Sequence, residues 1–204
     1  MKVGLVSDPH ANANGLRAAL AALRAEGVGT VICAGDAVGY GEDVDATIEE
    51  LRRSVRYAVL GNHDAMLLGR IPVSPERLAE YRLDLADRVI APENRAWLES
   101  LPESLELELD GVSFAVFHGS PWAPLTEYVY PDHDRFDRFA ALAADVVVLG
   151  HTHWQLHRTV DGITIVNPGS CGQPRDGLAG APYAIVDTQG IGVTLARAQY
   201  DRPA

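Results

Sequence analysis

Five short apolar runs, each ending directly in His, Asp or Asn motifs, constrain this sequence more than any other feature. The runs are Val3–Val6, Thr30–Cys33, Tyr57–Leu60, Val112–Phe117 and Val146–Leu149. They are rich in β-branched or aromatic residues and too short for ordinary helices. That predicts strands buried on both faces of an α/β sheet. The motifs at their ends are Ser7-Asp8-Pro9-His10, Gly35-Asp36, Gly61-Asn62-His63-Asp64, His118-Gly119 and Gly150-His151-Thr152-His153. Ligands of open α/β sheets gather at the carboxyl ends of strands, and neighbouring strands lie roughly 4.8 Å apart. Side chains at these ends are therefore expected to converge on one site.

The connections between the runs set the architecture. Asn12–Glu26 carries Leu16, Leu20 and Leu23 on one helical stripe, with Gly27 as its stop. Glu42–Ser54 repeats Val44, Ile48, Leu51 and Val55 at helical spacing. Strand–helix–strand–helix–strand predicts right-handed parallel crossovers. Pro75–Leu101 reads as two or three helices broken near Pro92. It lies between strands, so we expect a helical insertion at about residues 66–102 of a single domain spanning 1–204. Asp110-Gly111, Asp161-Gly162 and Gln189-Gly190 each join two strand-like runs and predict hairpins. Parallel units first and hairpins later suggest two mixed sheets packed face to face, with helices outside.

Composition excludes several classes. The chain has 204 residues, 47% hydrophobic and 22% charged, enough to bury a real core. No apolar run is long enough to span a bilayer. The first residues are strand-like and lack the pattern of a signal peptide, so a cytoplasmic location is expected. Cys33 and Cys171 have no metal or redox spacing and are expected to be buried free thiols. A net charge of −11 argues against stable nucleic-acid binding.

The histidines point to chemistry. Five of the seven, His10, His63, His118, His151 and His153, sit at predicted strand ends; His133 and His157 do not. A lone His is usually a satisfied structural residue, and a lone Asp is usually a cap or turn. Neither reading explains why so many gather at strand ends. Imidazole, carboxylate and one amide oxygen suit divalent first-row ions, and the lack of thiolates argues against structural zinc. Two ions roughly 3.5–4 Å apart need a bridge, which a carboxylate such as Asp36 can supply. Such a centre stays positive, attracts phosphate and acidifies a bound water, so hydroxide can attack phosphorus in line.

Asp8-x-His10, Gly35-Asp36, Gly61-Asn62-His63-Asp64, His118 and Gly150-His151-x-His153 together resemble the ordered motif set of the calcineurin-like metallophosphoesterases. The stretch Asn167 to Asp176 is similar to the small phosphodiesterase branch of that superfamily. The resemblance implies an α/β fold, the family's α/β/β/α sandwich. It implies that Asp8, His10 and His153 hold a first divalent ion, that Asn62, His118 and His151 hold a second, and that Asp36 bridges. Manganese, iron, zinc and nickel are all compatible with these ligands. It implies that His63 faces the phosphate, stabilising charge or protonating the leaving oxygen.

One departure narrows the expected substrate. Protein phosphatases of the superfamily continue after Gly-Asp with an Asp-Arg pair, whereas this chain has Gly35-Asp36-Ala37-Val38-Gly39-Tyr40-Gly41. The expected activity is a phosphodiesterase on small or nucleotide-type phosphoesters. Phosphomonoesterase, protein or dinucleotide polyphosphate phosphatase, and a non-catalytic scaffold of the same fold are the alternatives. The missing acid also leaves His63 without an obvious orienting partner. Arg175 either grips a substrate phosphate or forms a surface ion pair. Asn12 is expected to cap the first helix. Tyr40, Trp122, Tyr128 and Tyr130 are expected to pack under loops, with base stacking as the other reading. The partner expected is a small phosphoester, with a homo-oligomer possible and no membrane.

Overall fold

The structure, a computed structural model, describes residues 1–200. Its first half alternates strand and helix: β1 (Lys2–Val6), α1 (Ala13–Ala25), β2 (Thr30–Cys33), α2 (Val44–Ser54), β3 (Tyr57–Ala58) and α3 (Asn62–Leu67). Three more helices come next, α4 (Pro75–Glu80), α5 (Leu83–Val89) and α6 (Pro92–Ser100). The second half holds β4 (Ser104–Leu109), β5 (Val112–Phe117), a 3-10 helix (Phe136–Ala141), β6 (Val146–Val148), β7 (Gln155–Val160), β8 (Ile163–Pro168), β9 (Ala181–Asp187) and β10 (Gly192–Ala198).

The strands form two five-stranded mixed sheets, ordered β10-β9-β1-β2-β3 and β4-β5-β6-β8-β7. β1 and β2 run parallel, with Val3 opposite Thr30 and Val6 opposite Cys33. In the second sheet β6 lies parallel to both β5 and β8. This parallel pairing puts the chain segments just after Val6 and Cys33 side by side, and likewise those just after Phe117 and Val148.

Side-chain alternation divides the core. Leu5, Ile32, Phe114, Val116, Val148 and Val186 point between the sheets and pack together. Val6, Val31 and Cys33 point the other way, under the leucines of α1 and the apolar face of α2. Phe136 and Phe139 of the 3-10 helix cover the far face of the second sheet, over Val147 and Ile165. The two-faced burial expected of the central strands is therefore present. Cys33 and Cys171 are buried and free.

Beyond shifts of a residue or two at several element ends, three features depart from the expected ones. The third strand ends at Ala58, because the Leu60 N–H turns away to Pro102 O at 2.7 Å. A short helix begins soon after it, and that helix carries Asn62 and His63. The 3-10 helix has no counterpart among the expected elements. No described helix is long and apolar enough to cross a membrane.

Candidate metal centre

The polar residues at the strand ends meet in one buried cluster. Asp8, His10 and His153 form one group of facing donor atoms; Asp36, His118 and His151 form another. Within each group the atoms lie within 4.8 Å of one another. Asn62 joins the second group, its Oδ1 2.9 Å from His118 Nε2. Asp36 Oδ2 stands between the groups, 3.6 Å from His10 Nε2 and 3.4 Å from His118 Nε2.

The local backbone explains how so many donors fit. Asp8, His10, Asp36, His151 and His153 all take positive φ, between 47° and 67°. For residues with a Cβ that conformation costs on the order of 1 kcal/mol or more each, and such strain gathers at functional sites. It turns each chain sharply at a strand end and aims the side chain inward. Gly61 lets the third motif approach: a Cβ there would lie 2.0 Å from Asp36 Oδ1.

The outer nitrogens are fixed by backbone carbonyls. His10 Nδ1 bonds Val38 O at 2.8 Å, His118 Nδ1 bonds Ala34 O at 2.7 Å and His153 Nδ1 bonds Gln173 O at 2.6 Å. A carbonyl only accepts, so each Nδ1 carries a proton; burial keeps the His10 and His153 rings neutral, with a lone pair at Nε2, whereas His118 Nε2 faces Asn62 Oδ1 and Asp36 Oδ2 and holds a proton that a cation would replace. The carboxylates are held likewise. Asp8 Oδ2 accepts from Ser7 Oγ at 2.5 Å and from the His151 N–H at 3.1 Å. Asp36 Oδ1 accepts from the His63 N–H at 2.8 Å.

These facing lone pairs fit a pair of cations. His10 Nε2 lies 2.9 Å from His153 Nε2, with no proton to share when both rings are neutral. The described residues hold five buried side-chain polar atoms without a partner, and Asp8 Oδ1 and His151 Nε2, one from each group, are two of them. Buried polar atoms are normally paired, so two orphans in one donor cluster suit the binding of an electrophile. The donor set, nitrogen and oxygen with no sulfur, matches divalent first-row ions.

Protonation obeys the same electrostatics. Burial, reinforced by Asp36 nearby, raises Asp8 to about 7. Burial opposes a charged His118, but Asp36 and Asp8 beside it outweigh that cost and raise it to about 9. Burial lowers His151 and His153 to about 3, and it lowers His63 as well. A bound cation would displace the protons held by Asp8 and His118.

The sequence matches the calcineurin-like phosphoesterase superfamily domain over residues 1–190. The chain belongs to that superfamily. It is similar to an uncharacterized protein of Methanocaldococcus jannaschii, 30% identical over 98% of this chain and 88% of that protein. A phosphodiesterase of the same archaeon is 27% identical, covering 84% of each chain. The crystal structure of a metallophosphoesterase from Sphaerobacter thermophilus superposes with a TM-score of 0.83 at 31% identity, covering 98% of this chain and 89% of that one. The two-sheet architecture is thus the fold of this superfamily.

The residues outside the donor cluster divide. Arg175 lines the cavity of about 180 Å³ beside the cluster, together with Tyr40, His63, Tyr81, Tyr128 and Arg77. Its Nη2 donates to Tyr40 Oη at 3.1 Å and to Gln173 Oε1 at 3.2 Å, and no described acid pairs with it. Asn12 caps α1 as expected, accepting from the Gly15 N–H at 2.9 Å. Trp122 packs edge-on against Phe139 under Arg138. Tyr128 stacks on His151 at 3.8 Å, and Tyr130 stacks on Tyr128 at 5.7 Å. Asp64 points away from the His63 ring and accepts from the Ala37, Val38 and Gly61 N–H groups. Burial raises it to about 6 against the pull of those bonds. Sequence reasoning misses Asp64 as the clasp of this loop, and it misses Arg77 and Tyr81 as cavity residues.

Proposed function

We propose that this protein is a metal-dependent phosphodiesterase acting on small or nucleotide-type phosphoesters. In this reading Asp8, His10 and His153 hold one divalent ion, Asn62, His118 and His151 hold the other, and Asp36 bridges them. Two bound ions supply Lewis acidity toward phosphoryl oxygens and lower the pKa of a coordinated water. The observation that carries the reading is the set of Nε2 atoms and carboxylate oxygens gathered at one place, with the Nδ1 atoms of His10, His118 and His153 already bonded to carbonyls.

The chain's own groups divide the remaining work. His63 stands at the cavity edge of the cluster, placed to stabilise charge on the phosphoryl group or to hand a proton to the leaving oxygen. Arg175 presents a guanidinium that no described acid neutralises, and its planar fork suits a phosphate. Tyr40, Tyr81 and Tyr128 give the cavity an aromatic lining suited to an organic ester group. An Asp-Arg pair after Asp36 is lacking, which favours a diester over a phosphoprotein.

The test is metal analysis of the purified protein, with a screen of chromogenic monoesters, diesters and nucleotides under manganese, iron, zinc and nickel. The expected result is two ions per chain and the highest kcat/KM on a diester. Fewer than one ion per chain under every metal would sink the proposal.

A further inference from the structure

Among the described residues no carboxylate bonds the His63 ring, and other groups pack around it instead. Its backbone N–H is fixed by Asp36 Oδ1 at 2.8 Å. Its ring is buried, and Nδ1 has no hydrogen-bond partner. Three rings surround it. Tyr81 is the nearest, with centroids 4.5 Å apart and planes at 52°. Tyr40 lies at 4.9 Å and 44°, and His10 at 4.9 Å and 77°. On the Nδ1 side the backbone of Gly39 closes in, so near that a Cβ there would stand 2.6 Å from the nitrogen.

Tyr81 comes from the helical insertion, and it is tied to the motif loop it serves. Its carbonyl accepts the Tyr40 N–H at 2.7 Å. The two tyrosine rings meet at 5.5 Å and 64°. The next residue, Arg82, turns with φ of 54° and pairs with Glu42. Tyr81 lies at the end of α4 and lines the cavity beside His63. Tilted ring contacts of this kind restrict an imidazole without charging it. A reacting group displaced by even about 1 Å can lose roughly a hundredfold in rate.

We infer that Tyr81, braced by Tyr40, is a positioning residue that fixes the His63 ring over the cavity, in place of the acidic partner missing after Gly35-Asp36. The helical insertion thereby contributes to the chemical step. The inference rests on the proposed role of His63 in phosphoester hydrolysis.

The experiment is a double-mutant cycle on the metal-loaded protein with a chromogenic diester. Tyr81→Ala is expected to lower kcat about 10- to 100-fold, to change KM less than about threefold and to leave both ions bound. Tyr81→Phe, which keeps the ring, should restore kcat to within about threefold of wild type. Because Tyr81 acts through His63, adding Tyr81→Ala to His63→Ala should cost nothing further. A full second loss in that background would overturn the inference, as would a Tyr81→Phe variant as slow as Tyr81→Ala. Where Tyr81→Ala unfolds the insertion, Tyr81→Leu takes its place in the cycle. An independent readout is the imidazole nitrogen NMR spectrum of His63, expected to broaden or double in Tyr81→Ala and to stay single in Tyr81→Phe. If His63→Ala alone leaves kcat unchanged, the catalytic reading of His63 falls, and an unchanged spectrum in Tyr81→Ala would then sink the clamp as well.

Discussion

The Nε2 atoms of His10 and His153 lie 2.9 Å apart, each on a ring whose Nδ1 is already bonded to a backbone carbonyl. Two neutral imidazoles so arranged point lone pairs at each other, and Asp8 Oδ1 adds an unpartnered oxygen beside them. The arrangement is repulsive alone and attractive around a cation. Metal should therefore stabilise the fold. At a free concentration about a hundred times Kd, a bound ion contributes about 2.7 kcal/mol. For a chain of this size that raises Tm by about 5–10 °C. Thermal denaturation after chelation, and again after adding back manganese or zinc, measures it; equal Tm values would contradict the lone-pair argument.

Asp36 Oδ2 sits between His10 Nε2 and His118 Nε2, whereas Arg175 borders the outer cavity. The two should fail differently. Asp36→Asn removes one charge from between the proposed ions and should lower kcat by about a thousandfold or more, about 4 kcal/mol, with loss of bound metal. Arg175→Ala should raise KM about tenfold while both ions stay bound. Steady-state kinetics with metal analysis separates them. The opposite order of effects would remove Asp36 from its bridging place.

Gly61 gives a sharper steric test. A methyl group there would overlap Asp36 Oδ1 and its backbone nitrogen, 2.0 and 2.2 Å away. Asp36 has little freedom to retreat, because its Oδ1 accepts the His63 N–H. Gly61→Ala should destabilise the protein by about 1–3 kcal/mol, as overpacking of a tight site does. It should also release metal while the circular dichroism spectrum stays native. Full metal occupancy in this variant would show that the third motif can move away from the second.

Much of this site is legible in the sequence, for a specific physical reason. A strand buried on both faces must be apolar, so a polar residue at its end stands out, and parallel pairing brings those ends together. Asp8, His10, Asp36, His118, His151 and His153 carry that signal, and all six converge. Asn62 and His63 share that signal, but the helix that carries them does not show in the sequence: six residues are too few to display a period. Tyr81 is beyond reach for another reason. Its spacing marks it as a packing residue, and only tertiary contact makes its neighbour the His63 ring. Arg175 shows the same limit. Whether a guanidinium faces an acid or a cavity depends on which loops meet, and here it meets Tyr40 and Gln173.

Acid stability provides a test of the second sheet, well away from the cluster. Asp145, just before β6, accepts from the Ser113 N–H at 2.8 Å and from Ser113 Oγ at 2.6 Å. The Ser113 hydroxyl bond and the backbone bond hold its carboxyl below the ordinary aspartate value of 3.8. A carboxyl with a lowered folded pKa is ionised in the folded state at a pH where the unfolded chain has already bound a proton. Its contribution is complete above the unfolded value and is lost as pH falls through the folded one. Asp145→Asn, which cannot ionise, should therefore lower stability by about 1 kcal/mol at about pH 7. The gap between the two proteins should stay level from about pH 7 to about pH 5 and narrow below about pH 4. Urea midpoints across that range measure it. A gap that widened toward acid would mean that the Ser113 bonds favour the protonated carboxyl, and the assignment of this pair as a brace between β5 and β6 would have to be abandoned.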